Sequence, residues 1–323
     1  RDAVVPNAVG VDIGCGMCAV RTSLREIDRD ALTTVLAGVR SRVPLGFAHH
    51  KQRQEWSGFD RAPDVPVIQR ELDAARFQLG TLGGGNHFIE LQRGPDGAVW
   101  IMLHSGSRNF GLKVAEEYHR QARRLCDSRG WRLSDPDLAY LPMDTREATD
   151  YLAAMNFALE FAKENRFRMV EAVKQAMLDV LPASFGETIN IHHNYAAVER
   201  HYGAEVVVHR KGATAAAAGQ TGLVPGSQGA PSYVVRGKGN PESFMSCSHG
   251  AGRRMGRNQA RRQLDLEQEQ RRLEERGIIH SLRGVKDLDE AAGAYKDIAQ
   301  VMRDQQDLVE IVTELTPLAV IKG

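Results

Sequence analysis

The sequence predicts an α+β fold, and three observations carry that prediction. Helix-period and strand-period segments are mixed along the chain rather than sorted into separate halves. Hydrophobic residues make up 42% of the 323 residues, enough for one large core or two ordinary ones. No internal repeat and no low-complexity segment interrupts the pattern.

The elements follow in order. Arg1 to Val11 reads as the end of a loop running into a buried strand; without an initiator methionine, the chain is expected to be the remainder of a longer one. Residues 20–80 alternate short helical patterns with a polar, turn-rich stretch, and 64–79 (DVPVIQRELDAARFQL) carry apolar residues at helix period. The segment 79–91 (LGTLGGGNHFIEL) is a glycine-rich turn entering a strand, and 98–104 (AVWIMLH) reads as a buried strand. Long amphipathic helices are expected over 111–126 and 146–180. Strands are expected at Thr188–Ile191 and 204–209, the latter followed by the small-residue run KGATAAAAGQTG. Residues 222–252 are rich in glycine, serine and proline around a strand at Ser232–Arg236. A helical tract over 256–276 and a tail of helix then strand from Ala294 complete the chain.

Composition narrows the function classes. Charged residues make up 26% with a net charge of +1, which argues against a nonspecific nucleic-acid coat while allowing a local basic surface. Arg253, Arg254, Arg257, Arg261, Arg262, Arg271 and Arg272 crowd into 253–276. They form either such a surface or a solvated helix face paired with Glu267, Glu269, Glu274 and Glu275. No apolar run is long enough to span a bilayer and no signal peptide opens the chain, so a cytoplasmic protein without membrane partners is expected. Four cysteines are too few for a disulfide framework, and the single Cys15-x-x-Cys18 pair has no second half to make a zinc site.

Five glycine-pinned segments hold the chemistry. Asp12 and Cys15 lie in VGVDIGCGM, His87 in GGGNHF, His104 in LHSGSR, His192 and His193 in IHHNY, and His249 in SCSHGAGR. One histidine at a strand edge is usually structural. Several imidazoles with an Asp-x-x-Cys suit a borderline divalent ion such as manganese, zinc, iron or cobalt, and ligand type does not rank these. GTLGGGNHF, VPGSQGAPS and SHGAGRRMGR free backbone N–H groups for an anion, and the last is expected to open a helix. Neither a Walker loop nor a dinucleotide fingerprint is present. Covalent nucleotidyl transfer to a side chain stays open, and without a K-x-D-G motif histidine is the better nucleophile.

At this point the segments resemble one family. VGVDIGCGM, GTLGGGNHFIEL, IMLHSGSR, HHNY, RKGA, PGSQGA, SYVVRGKGN, SCSHGAGR, AYKDI and the closing KG are similar, in order and across nearly the whole chain, to the RtcB RNA-splicing ligases of the bacterial branch. The resemblance implies one α+β domain over 1–323, with a β-sheet core flanked by helices. It implies two Mn2+ ions per site and GTP, joining RNA 2′,3′-cyclic phosphate or 3′-phosphate ends to 5′-hydroxyl ends in RNA repair or tRNA splicing. It leaves open whether an activating partner such as archease is needed.

By the same resemblance Asp12, Cys15, His87, His104 and His193 would be the metal ligands, with Cys15 bridging, and His249 would carry GMP. Asn86, His87, Phe88, Ile89, Glu90, His193, Asn194, Pro225, Gly226, Ser227, Gln228, Ser232, His249, Gly250, Ala251, Gly252 and Lys322 would bind the nucleotide. His192 would be structural, and Arg210 and Lys211 would hold RNA phosphates or be surface charge. The family's N-terminal segment, ending in M-P-D-V-H-x-G-x-G, is missing before Arg1. Gln228 stands where methionine is usual, and Cys18, where asparagine is common, reads as a buried thiol. A metal-dependent phosphoesterase without covalent nucleotide and a non-catalytic RNA-binding scaffold are the competing readings.

Overall fold

Burial along the longest helix shows how the fold is held. In the computed structural model, which describes residues 1–323, Arg146–Leu178 form one helix. It starts where the Thr145 side chain accepts from the Ala148 N–H. Tyr151, Ala154, Met155, Ala158, Phe161, Ala162, Asn165, Arg166, Met169, Val170 and Val173 are buried along it at three- and four-residue steps, one continuous inward stripe.

In chain order the strands are β1 (Ala3–Val4), β2 (Gly16–Thr22), β3 (Phe88–Arg93), β4 (Val99–Ser105), β5 (Leu141–Pro142), β6 (Phe185–His192), β7 (Asn194–His201), β8 (Ala204–Lys211), β9 (Ala213–Ala215), β10 (Thr221–Val224), β11 (Ser232–Gly237), β12 (Ser246–Ser248) and β13 (Val309–Lys322). The helices are α1 (Arg29–Arg42), α2 (Pro66–Gln78), α3 (Arg108–Ser128), α4 (Arg146–Leu178), α5 (Arg257–Gln263), α6 (Leu266–Glu274) and α7 (Ile298–Asp304). The main sheet has seven strands in the order β10-β11-β13-β3-β4-β2-β6, and every neighbouring pair is antiparallel. Side chains alternate across it. Cys18, Val20, Ile89, Leu91, Ile101, Leu103 and Ile321 pack toward α1 and the C-terminal half of α4, while Met17, Ala19, Phe88, Met102 and Val320 fill the opposite face. The expected α+β class, a sheet core with flanking helices, is what forms.

The structure departs from the sequence expectations at several elements, the unexpected strands β7 and β9 among them. The start is a two-residue strand paired with β5, then a tight turn at Pro6–Ala8, and the buried strand begins only at Gly16. The helical tract expected over 256–276 forms as two helices, because the Asp265 side chain caps a second start by accepting from Gln268 N–H. Strands β10 and β12, four and three residues long, sit inside the stretch expected to hold one strand.

Candidate metal centre and adjoining cavity

Sheet register gathers the donors. In β4, His104 stands opposite Met17 of β2 and Phe88 of β3, and His192 stands opposite Gly16. Cys15, His87 and His193 each lie one residue outside a strand end, so the sheet brings them to the same place as His104. Asp12 arrives on the turn before Cys15, whose N–H donates to the Asp12 carbonyl.

Two triads result, Asp12–Cys15–His87 and Cys15–His104–His193, each with donor atoms within 4.8 Å of one another. Cys15 belongs to both. Its Sγ is 3.5 Å from His87 Nε2 and 3.2 Å from His104 Nε2; His87 Nε2 is 3.0 Å from Asp12 Oδ2 and His104 Nε2 is 3.1 Å from His193 Nε2. The far ring nitrogens of two histidines are aimed by carbonyls: His87 Nδ1 is 2.9 Å from Leu82 O and His104 Nδ1 is 3.1 Å from Asn86 O. A proton kept on Nδ1 leaves each Nε2 lone pair facing inward, the outer-sphere arrangement of metal-bound imidazole. Arg108 also comes within 3.0 Å of His87 Nδ1. An arginine donor and a carbonyl acceptor cannot both be satisfied there, and the carbonyl partnership is the one compatible with Nε2 on a cation.

The electrostatics fit a cation. Burial and the Asp12 charge push the Cys15 thiol well up, so the protein alone holds it protonated. Burial raises the Asp12 carboxyl too, but the His87 hydrogen bond and the His87 and Arg108 charges outweigh it and leave it below the ordinary value. Burial pushes His104 and His193 well down and keeps them neutral. A carboxylate, three imidazoles of which burial keeps His104 and His193 neutral, and a thiol that ionises only beside a cation are a donor set for a borderline divalent metal.

His249 lies just past β12, its ring centroid 4.6 Å from that of His193, and burial keeps it neutral. Its Nδ1 is buried without a hydrogen-bond partner. His249 lines a cavity of about 230 Å³ whose walls include His104, the link to the donor cluster. Of the residues expected to bind nucleotide, Asn86, Phe88, Glu90, Pro225, Gly226, Ser227, Gln228, His249, Gly250, Ala251, Gly252 and Lys322 line it. Burial pushes the Glu90 carboxyl up to about 7, although Gln92 donates to it at 2.6 Å. Gln228 is buried with an unpartnered Oε1.

Five of that set lie off the walls. His87 and His193 belong to the donor cluster, and Ile89 faces the core because strand side chains alternate. Asn194 ties loops together, donating to Asp12 O at 3.0 Å and accepting from Gly212 N–H at 2.9 Å. The Ser232 hydroxyl supports the cavity by accepting from Gln92 and from Gly226 N–H. Sequence reasoning missed Arg253, Arg257, Glu290, Tyr295 and Val320, which also line the cavity. AYKDI marked Tyr295 without giving it a role, and nothing local marked Glu290, an acid that becomes buried beside Arg253 and Lys322.

Three further expectations resolve. Cys18 is fully buried, and burial pushes its thiol up to about 12. His192 is outside both triads and accepts from Arg166 at its Nδ1. Arg210 is not available to RNA phosphates. It is 1% exposed and donates to Glu199, the Tyr195 hydroxyl, the Ser246 hydroxyl and Phe244 O, whereas Lys211 is exposed and donates to Asn7 O. The arginine crowd is mixed: Arg271 and Arg272 pair with Glu267 and Glu269 as expected, but Arg253, Arg257 and Arg261 turn to Asp289 and Glu290.

The family model described as tRNA-splicing ligase RtcB matches residues 1–64 and 54–323. The RNA-splicing ligase RtcB of Escherichia coli K12 is 39% identical over 348 residues, covering 100% of this chain and 85% of that protein. The RNA-splicing ligase RtcB of Mycobacterium tuberculosis is 34% identical, covering 100% and 81%. The tRNA-splicing ligase RtcB of Archaeoglobus fulgidus is 30% identical, covering 99% and 82%.

Proposed function

This chain belongs to the RtcB family, and from that premise we propose that residues 1–323 act as one ligase domain, a GTP- and Mn2+-dependent RNA ligase working in the cytoplasm. It joins RNA 2′,3′-cyclic phosphate or 3′-phosphate ends to 5′-hydroxyl ends through GMP carried on His249. One observation carries this reading: a neutral, part-unpartnered histidine packs against a five-donor cluster and lines the cavity that the cluster borders.

Asp12, Cys15, His87, His104 and His193 would hold two Mn2+ ions, which when bound supply charge neutralisation at phosphate. Cys15, the member shared by both triads, would serve as a ligand in each. Burial keeps the His249 lone pair free at neutral pH. That lone pair attacks the α-phosphate of GTP; an N–P bond forms as the bond to pyrophosphate breaks. Where the end is a 2′,3′-cyclic phosphate, water first opens it, breaking the bond to O2′ and freeing the 2′-hydroxyl. An oxygen of the RNA 3′-phosphate then takes GMP from His249 as the N–P bond breaks, and the 5′-hydroxyl displaces GMP from the activated end. Phe88 and Tyr295 would flank the nucleotide, while Glu90, Gln228 and Lys322 would offer polar contacts from the walls.

The test is a protein adduct. With Mn2+ and GTP labelled at the α-phosphate, the chain retains acid-labile label after denaturation, and His249→Ala retains none. Absence of label, or phosphate release from RNA without GTP, overturns the ligase reading in favour of a phosphoesterase. The same assay run with and without archease reads that partner's contribution.

A further inference from the structure

The middle of α4 carries two polar residues, Asn165 and Arg166, each fully buried. A helix stripe that only had to pack on a sheet would place aliphatic side chains there. A buried guanidinium costs several kcal/mol unless its surroundings repay it. Arg166 forms no ion pair with a carboxylate. Its Nη1 donates to Gly14 O at 2.7 Å and Ser105 O at 2.9 Å, its Nη2 to His192 Nδ1 at 3.0 Å, and its Nε to Asn190 Oδ1 at 2.7 Å.

Those partners are not scattered. Gly14 immediately precedes Cys15, Ser105 immediately follows His104, and His192 immediately precedes His193. One guanidinium therefore grips the chain neighbours of all three members of the second triad. Asn165 extends the grip toward His87. Its Oδ1 accepts from Gly80 N–H at 2.7 Å and Thr81 N–H at 3.1 Å, and its Nδ2 donates to Thr81 O and Gly106 O, each at 3.1 Å. Thr81 precedes Leu82, whose carbonyl aims the His87 ring.

We propose that Arg166 is a positioning residue for the metal centre, whose planar fork sets the spacing of Cys15, His104 and His193 before any metal arrives. The inference rests on the ligand assignment made above. Charge alone does not meet this demand. A lysine ammonium is a point donor on a flexible stem and cannot reproduce a planar set of four bonds.

Cobalt(II) alone is the probe, because thiolate-to-cobalt charge transfer and visible d–d bands report ligand identity and geometry without turnover. Wild-type protein shows both, and Cys15→Ser loses the charge-transfer band. Arg166→Lys, checked for folding by circular dichroism, binds cobalt about 10–100-fold more weakly, the range typical for lost outer-sphere partners, with shifted d–d bands. Asn190→Ala removes one acceptor of the fork and weakens binding in the same direction, which keeps the test decisive if Arg166→Lys does not fold. Val173→Ala, on the same buried stripe, lowers stability and leaves cobalt affinity unchanged. Wild-type affinity and spectrum in Asn190→Ala and in a folded Arg166→Lys overturn the clamp and leave the ligands standing. A wild-type protein without the charge-transfer band overturns the ligand assignment and the clamp together.

Discussion

Glu90 shows how a single buried group couples the cavity to pH. Burial raises its carboxyl from the ordinary 4.5 to about 7, against the pull of Gln92 and Lys322. The folded chain therefore binds this proton more tightly than the unfolded chain. Stability is greatest below the unfolded value, falls as pH rises between 4.5 and 7, and levels off above it. A shift of this size corresponds to roughly 3 kcal/mol. Glu90→Gln removes the titrating group, so urea midpoints measured at pH 5 and pH 8 differ less in the variant than in wild type. Equal pH dependence in the two proteins overturns the assignment. The sequence placed Glu90 at the cavity through the resemblance alone; its perturbation comes from burial in the folded chain, and no local pattern displays it. Arg210 is the opposite error. A basic residue beside a glycine turn reads as a phosphate contact, and only Glu199, eleven residues back across a hairpin, reveals that it is an internal strut.

Between elements, the close approach of β2 and β6 is what holds Cys15 beside His193. A Cβ on Gly16 would sit 2.0 Å from Ile191 O and 3.0 Å from the Arg166 guanidinium carbon. Backbone oxygen cannot move aside as a side-chain tip can, so Gly16→Ala must push the strands apart or shift their register. The expected cost is at least the ~1–3 kcal/mol of ordinary overpacking. Cobalt affinity falls with it, because Cys15, a proposed ligand, precedes the displaced strand. Thermal unfolding and cobalt titration of Gly16→Ala check both parts; a stable variant with wild-type affinity shows the contact to be dispensable. Elements with long, one-sided patterns were readable beforehand: α2, α3, α4, β3, β4, β8 and β13 all form where periodicity or apolar runs placed them. The failures are mostly short or capped pieces, with the eight-residue β7 as the exception. Strands β10 and β12 are too brief to show a period, and the break before α6 depends on one capping aspartate within a tract of good helix formers.

Across the whole molecule, the five donors come from residues 12 to 193 and converge only when β3, β4, β2 and β6 lie side by side. An unfolded chain has no such site. Metal affinity is then folding stability, and it follows mass action: free Mn2+ at 100 times its dissociation constant adds about 2.7 kcal/mol for one site, and more with two. Unfolding measured against Mn2+ concentration should show stability rising with the logarithm of free metal, and chelation should return it to the metal-free value. Cys15→Ser acts on both triads at once and so should abolish most of this rise. His249→Ala removes no donor and should retain it even though the labelled adduct is lost. That contrast separates the two proposed roles, assigned to residues that lie side by side in the fold. If Cys15→Ser keeps the full rise, or His249→Ala loses it, the division between ligands and GMP carrier is wrong.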